Sequence, residues 1–414
     1  MFARPLALSR PAVSALQGEA GQLAVYDWDL PAGKPLGTVL LVHGLGEHAG
    51  RYGEVAANLH QWGFAVRAYD QQGHGRSDGA RGDMLRPGSL QVDLCRVVDD
   101  TRQHPALAHA PLILLGHSMG GLVVARTLAE QRCSVDAAVL SSPALGAFPN
   151  VFQKMLLATL PRVLPHLRVD NGLKAEFVSR DPDVVKAYLA DPMVHRRISA
   201  GLAAWILDNG AQTLADAAQW SVPTLLLYAG QDHLVNAHAS ADFAQTAPQA
   251  VVQSQCFETA YHEIFNESPE LAAPVFARLE QWLDRQIQFD AVWENKVVER
   301  ILHNMSLLME RSFQSVQELN RFRKEIIVVH EDMARAESAR ADGIDAVAIV
   351  TPTPRGMASS SPSPRGPPRW PALDAPDDDH AILQLGSVKP QPWFWRRRLG
   401  VCPAQRHAVS GQFE

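Results

Sequence analysis

Ser118 stands in Gly116-His117-Ser118-Met119-Gly120, a G-x-S-x-G pattern. The apolar run Pro111-Leu112-Ile113-Leu114-Leu115 precedes it, and a helix-like run from Gly121 to Ala129 follows. Strand, G-x-S-x-G, helix is the setting of a nucleophile elbow. The serine there sits on a sharp turn with its hydroxyl above the sheet. Gly116 and Gly120 would keep that turn free of colliding side chains. The start of the following helix adds free N–H groups and a positive dipole end where negative charge develops. The same five residues also read as an ordinary turn; the flanking strand and helix weigh against that.

A serine hydroxyl is a poor nucleophile until a base takes its proton. Histidine can do this near neutral pH, and a buried aspartate can fix the imidazole tautomer and stabilise the imidazolium. Two residues follow Ser118 in a suitable order. The buried-strand run Val222 to Ala229 ends in Gly230-Gln231-Asp232, and the strand Val251 to Phe257 leads to Tyr261-His262-Glu263. A carboxylate at the C-terminal end of a parallel strand lies on the ligand-binding edge of the sheet. Asp232 is otherwise a turn aspartate, and His262 one of 16 histidines; their positions after late strands favour the catalytic reading. An oxyanion hole also has candidates. The strand Thr38 to Val42 ends in His43-Gly44-Leu45-Gly46-Glu47-His48. An HG-type turn supplies one donor and the residue after the nucleophile the other, which assigns the backbone N–H groups of Leu45 and Met119.

The elements around these residues alternate between strand and helix. Gln22 to Asp29 reads as an edge strand, Gly53 to Trp62 as a helix, Ala65 to Tyr69 as a strand, Leu90 to Gln103 as a helix and Asp136 to Leu140 as a strand. This predicts an α/β fold with a doubly wound, mostly parallel sheet. An insertion over about 144–216 is too long for an ordinary connection and reads as a helical cap. Its first helix would show Phe152, Met155, Leu156 and Leu160 on one face, with Pro161 and Pro165 breaking it. Ile198 to Ile206, with Trp205, would form a second apolar helix. Val275, Phe276, Leu279, Trp282 and Leu283 recur at threes and fours in a closing helix, Ala272 to Ile287.

The stretches HGLGEH at 43–48, YDQQGHGRSDG at 69–79, GHSMGG at 116–121, YAGQDHLV at 228–235 and YHEIFNE at 261–267 together resemble the monoacylglycerol lipase and lysophospholipase branch of the α/β hydrolases. The resemblance spans roughly residues 15–287. It implies Ser118 as nucleophile, Asp232 as acid, His262 as base and Leu45 and Met119 as oxyanion donors. It also implies a cofactor-free, metal-free hydrolase of small acyl esters such as monoacylglycerols or lysophospholipids.

Residues 1–288 are therefore expected to form the hydrolase domain. Residues 289–340 read as a long charged helical extension, able to dimerise the chain or lie on the hydrolase. Residues 341–414 are expected to form a disordered tail, within which residues 351–379 are Pro-, Ser- and Arg-rich and end in the acidic run Asp377-Asp378-Asp379. Near the end, Trp393-Phe394-Trp395-Arg396-Arg397-Arg398 could touch an anionic membrane surface, as could the cap. Net charge of -6 and a pI near 6.2 argue against a nucleic-acid partner. The four cysteines Cys95, Cys133, Cys256 and Cys402 form no disulfide framework. No leader peptide or bilayer-spanning run is visible, so a cytoplasmic protein is expected.

Other readings compete. Gly44-Leu45-Gly46-Glu47-His48-Ala49 is a literal G-x-G-x-x-A with Asp70 after the next strand, as in a dinucleotide site. That leaves Ser118, Asp232 and His262 unexplained. His262-Glu263 begins an H-E-x-x-H zinc motif, but Asn266 holds its last position. Thioesterase, aminopeptidase-like and perhydrolase activities use the same three residues. A non-catalytic scaffold presenting the helical extension is a further alternative, against which the full set of catalytic residue types argues.

Overall fold

The computed structural model describes residues 9–108, 110–146 and 160–286. Eight strands make one sheet. They are β1 (Ala12–Gln17), β2 (Gln22–Asp27), β3 (Thr38–Val42), β4 (Ala65–Tyr69), β5 (Leu112–His117), β6 (Ala137–Ser141), β9 (Thr224–Ala229) and β10 (Val252–Phe257), in spatial order β1-β2-β4-β3-β5-β6-β9-β10. From β4 to β10 all neighbours are parallel, while β2 runs antiparallel to both its neighbours, β1 and β4. This is the expected doubly wound, mostly parallel sheet.

Period-2 alternation divides the core. Leu40, Val42, Leu112 and Leu114 face one side, packed with α2 (Ser89–Gln103), α3 (Met119–Ala129) and α6 (Ala237–Thr246). Val39, Leu41, Ile113 and Leu115 face the other, under α1 (Gly53–Gln61) and α7 (269–286). Successive strand residues point to opposite faces, so both must be apolar when helices cover both. Val275, Leu279, Trp282 and Leu283 of α7 are all buried, as their spacing requires.

Three expectations need correction. β2 is not the edge strand, because β1 pairs along its outer side. The residues of β1 are mostly exposed, so they carry no core pattern from which a strand is legible. Residues 160–163 are helical, so Pro161 lies inside a helical segment, which stops short of Pro165. Phe152, Met155 and Leu156 lie outside the described residues, as do 289–414. Finally, Ile198 belongs to a strand. β7 (Arg168–Asp170) and β8 (Arg197–Ser199) form an antiparallel pair, and the apolar helix is α5 (Ala200–Ala215). Ser199 ends the strand and caps α5 by accepting from the Leu202 N–H, a local start signal that outweighs the apolar Ile198. The insertion also holds α4 (Pro182–Ala190). Among the described residues no helix is long and apolar enough to cross a membrane, and Cys95, Cys133 and Cys256 are free thiols.

Candidate active site

β5 delivers Ser118 to the C-terminal edge of the sheet. Its backbone turns sharply there, with φ 53° and ψ -120°. A non-glycine residue at positive φ is strained, a cost borne only where the surroundings fix it. The glycines are steric requirements: a Cβ on Gly120 would lie 2.1 Å from the Val42 carbonyl oxygen, and one on Gly116 would lie 2.6 Å from the Gly120 oxygen. Backbone cannot yield as a flexible side chain can. Gly120→Ala is therefore expected to destabilise the protein by about 3 kcal/mol, read as a lowered melting temperature.

The loops after β9 and β10 bring Asp232 and His262 to the same edge. His262 Nε2 lies 2.8 Å from Ser118 Oγ, and His262 Nδ1 lies 2.7 Å from Asp232 Oδ2. A carboxylate only accepts, so Nδ1 carries the proton and Nε2 presents its lone pair to the serine hydroxyl. Asp232 Oδ1 accepts from the Leu234 and Val235 N–H groups at 2.8 and 2.9 Å, so each of its oxygens has a fixed task. Burial disfavours charge on both groups. For His262, the Asp232 carboxylate and the nearby Glu263 and Glu47 outweigh burial and hold the imidazole above its ordinary pKa. For Asp232, the imidazole and the two backbone N–H groups outweigh burial and hold the carboxyl below its ordinary value. His117 packs its ring 4.7 Å from that of His262. Burial, then the charge of His262, pushes His117 down to about 4, so it stays neutral beside the imidazolium.

Leu45 follows β3 and Met119 opens α3. Among the described residues neither backbone N–H has a protein acceptor, and both residues line one cavity with Ser118 and His262. The first N–H groups of a helix lack intrahelical partners, so Met119 is a ready donor. The loop holding Leu45 is fixed from two sides. Glu47 accepts from the Gly44 N–H at 2.7 Å and the Tyr52 hydroxyl at 2.8 Å. From the cap, His195 donates its N–H to the Gly46 carbonyl at 2.8 Å, and Asp191 accepts from His48 Nε2 at 2.8 Å.

The cavity is about 500 Å³ and mostly apolar. Leu45, Met119, Val169, Ile198, Ile206 and Leu207 supply hydrocarbon, while Asn171, Lys174 and His233 add polar groups. Asn171 Oδ1 is held by the Leu173 N–H, and its Nδ2 is buried without a partner. Sequence reading missed Asn171, His117, Arg51 and Glu263. Arg51 lies four residues after Glu47, a salt-bridge spacing that could have flagged it.

The dinucleotide reading meets two physical obstacles. Asp70 accepts from the Tyr26 hydroxyl and from the Ala49 and Arg76 N–H groups, at 2.7 to 2.8 Å. It is fully engaged in bracing the loop rather than free for a ribose. A Cβ on Gly46 would meet the His195 carbonyl at 2.5 Å, so cap backbone occupies the space over that glycine. Among the described residues no cluster of His, Cys, Asp and Glu is arranged to hold a metal.

A family model described as Serine aminopeptidase, S33 matches residues 33–269, more than half of the chain. The chain belongs to this α/β-hydrolase family. It is 37% identical over 261 residues to a monoacylglycerol lipase of Mycolicibacterium smegmatis, covering 60% of this chain and 89% of that one. Human monoglyceride lipase is 30% identical over 273 residues, covering 64% of this chain and 88% of its own. The crystal structure of a Paleococcus ferrophilus monoacylglycerol lipase superposes with a TM-score of 0.56 at 35% identity, covering 61% of this chain and 96% of that one.

Proposed function

We propose that the chain is a serine carboxylester hydrolase of monoacylglycerols and related single-chain acyl esters. The observation that carries this is the bridge of His262 between Ser118 Oγ and Asp232 beside a mostly apolar cavity. In the first step His262 Nε2 takes the Ser118 proton as Oγ bonds to the acyl carbon. The Leu45 and Met119 N–H groups receive the oxyanion, a contact typically worth ~3–4 kcal/mol per donor in the transition state. His262 then gives its proton to the leaving alcohol as the ester C–O bond breaks. A water molecule, deprotonated by His262, attacks the acyl-enzyme; the acid leaves and Ser118 regains its proton.

The similarity to monoacylglycerol lipases supports the substrate class, and so does the cavity, which offers hydrocarbon to one acyl chain and polar groups to a head. An aminopeptidase must hold a free ammonium. Of the acidic residues lining the cavity, Glu47 and Glu263 are committed to Arg51 and Asp170 is paired with Arg196, which favours the ester. The cap leaves Val163, Leu164, Leu167 and Leu189 exposed, supporting peripheral contact with a lipid surface. The test is a fluorophosphonate probe with mass spectrometry, alongside monoacylglycerol turnover. One adduct, on Ser118, with release of fatty acid is expected. A folded sample with neither adduct nor turnover would overturn the proposal.

A further inference from the structure

Behind His262 lies a buried charge cluster that the reaction steps above do not use. Arg51 Nη1 donates to Glu47 Oε2 at 2.7 Å and to Glu263 Oε1 at 2.6 Å, and Nη2 donates to Glu263 Oε2 at 2.7 Å. The side chains of Arg51, Glu47 and Glu263 are only 11%, 5% and 6% exposed. Each glutamate has a second task. Glu47 accepts from the Gly44 N–H, next to Leu45. Glu263 directly follows His262, accepts from Asn266 Nδ2, and donates its backbone N–H to the Val178 carbonyl of the cap. The guanidinium also lies 4.8 Å from the centroid of the Tyr188 ring in α4. One cation thus joins three segments distant in sequence: the oxyanion loop, the base loop and the cap.

We propose that Arg51, Glu47 and Glu263 form a positioning unit for ester hydrolysis, fixing the Leu45 N–H against His262 and favouring the imidazolium by their net negative charge. This rests on the proposed roles of Ser118, His262 and Leu45. Two carboxylates on one guanidinium leave one net negative charge in a site shielded from water. Such charge acts over short distances with little screening. Its beneficiary is the proton that His262 takes from Ser118. The charged and titratable groups facing His262 are Asp232, Glu263, Glu47 and His117, with Arg51 beyond the two glutamates. A forked guanidinium also sets distance and plane, which an ammonium does not. Effective positioning of catalytic groups is sensitive to shifts of about 1 Å, which can cost about a hundredfold in rate.

The test compares the parent with Glu263→Gln and Arg51→Lys, using a short p-nitrophenyl ester. Turnover is expressed per active site titrated with fluorophosphonate, so misfolded molecules drop out of kcat. Glu263→Gln is near-isosteric and removes one negative charge. It is expected to move the acid limb of kcat/KM to lower pH and to lower kcat about tenfold, with KM little changed. Arg51→Lys keeps the charge but loses the fork. It is expected to lower kcat by a similar factor while leaving the acid limb in place. If both variants match the parent in kcat per titrated site and in pH profile, the positioning role is overturned, even if their melting temperatures fall. Failure of the underlying function shows separately: the parent itself would then neither label at Ser118 nor turn over ester.

Discussion

Ser118→Ala is expected to lower ester turnover by about a millionfold and to abolish fluorophosphonate labelling. The magnitude follows from the division of labour. His262 and the two N–H donors act on an attacking oxygen and on the negative charge that its attack creates. Without that oxygen, His262 Nε2 has no proton to take. What remains is binding and oxyanion stabilisation for attack by water, worth a residual of about a thousandfold to ten-thousandfold over solution. The fold should survive, since alanine keeps the same backbone and only one hydrogen bond is lost. Strain gives a second readout. At φ 53° alanine is as strained as serine, but glycine is not. Ser118→Gly should therefore melt above Ser118→Ala, recovering part of about 1–3 kcal/mol of stored strain. Wild-type turnover in either variant would remove Ser118 from the mechanism. Equal melting temperatures would remove only the strain argument.

The parts of the fold legible in the sequence were those that obey one strong rule. Central strands read clearly because both faces are buried, as Leu40-Leu41-Val42 and Leu112 to Leu115 are. The order and strand-end placement of Ser118, Asp232 and His262 were legible because loops at the C-terminal edge of a parallel sheet converge. Their hydrogen-bond geometry was not, because it depends on how far each loop reaches. β1 was hidden because an exposed edge strand need not alternate. The Arg51 cluster was hidden for a different reason. Arg51 and Glu263 are 212 residues apart, and each alone reads as a solvated surface charge. Only tertiary packing reveals that the pair is mostly buried. The cap strands β7 and β8, three residues each, carry too little pattern to register as strands.

Asp232→Asn should cost about ten-thousandfold in kcat/KM at neutral pH, and the hydrogen bonds around Asp232 give the reason. Oδ1 faces two backbone donors, Leu234 and Val235, while Oδ2 faces His262 Nδ1. An asparagine must turn its only oxygen toward the two N–H groups, because an amide nitrogen there would bury donor against donor. Its NH₂ then points at His262 Nδ1 and donates to it. The imidazole proton is displaced to Nε2, the atom facing Ser118 Oγ. The base arrives already protonated at the position where it must accept. The same pair links activity to stability. The raised His262 pKa contributes stability that is fully present below the unfolded-state value and is lost as pH rises through the folded value. The depressed Asp232 pKa contributes stability present above its unfolded value and lost as pH falls through the folded one. The ion pair therefore stabilises most in mildly acid solution, where His262 is protonated and cannot act as base. Parent activity should rise with pH through the His262 titration while this contribution to stability falls. In Asp232→Asn this pair's share of the pH-linked stability should be lost together with the activity, while the shares of other buried groups such as Glu47 and His117 remain. A variant that keeps parental kcat/KM, with pH-dependent melting unchanged, would show that Asp232 neither orients nor charges the base.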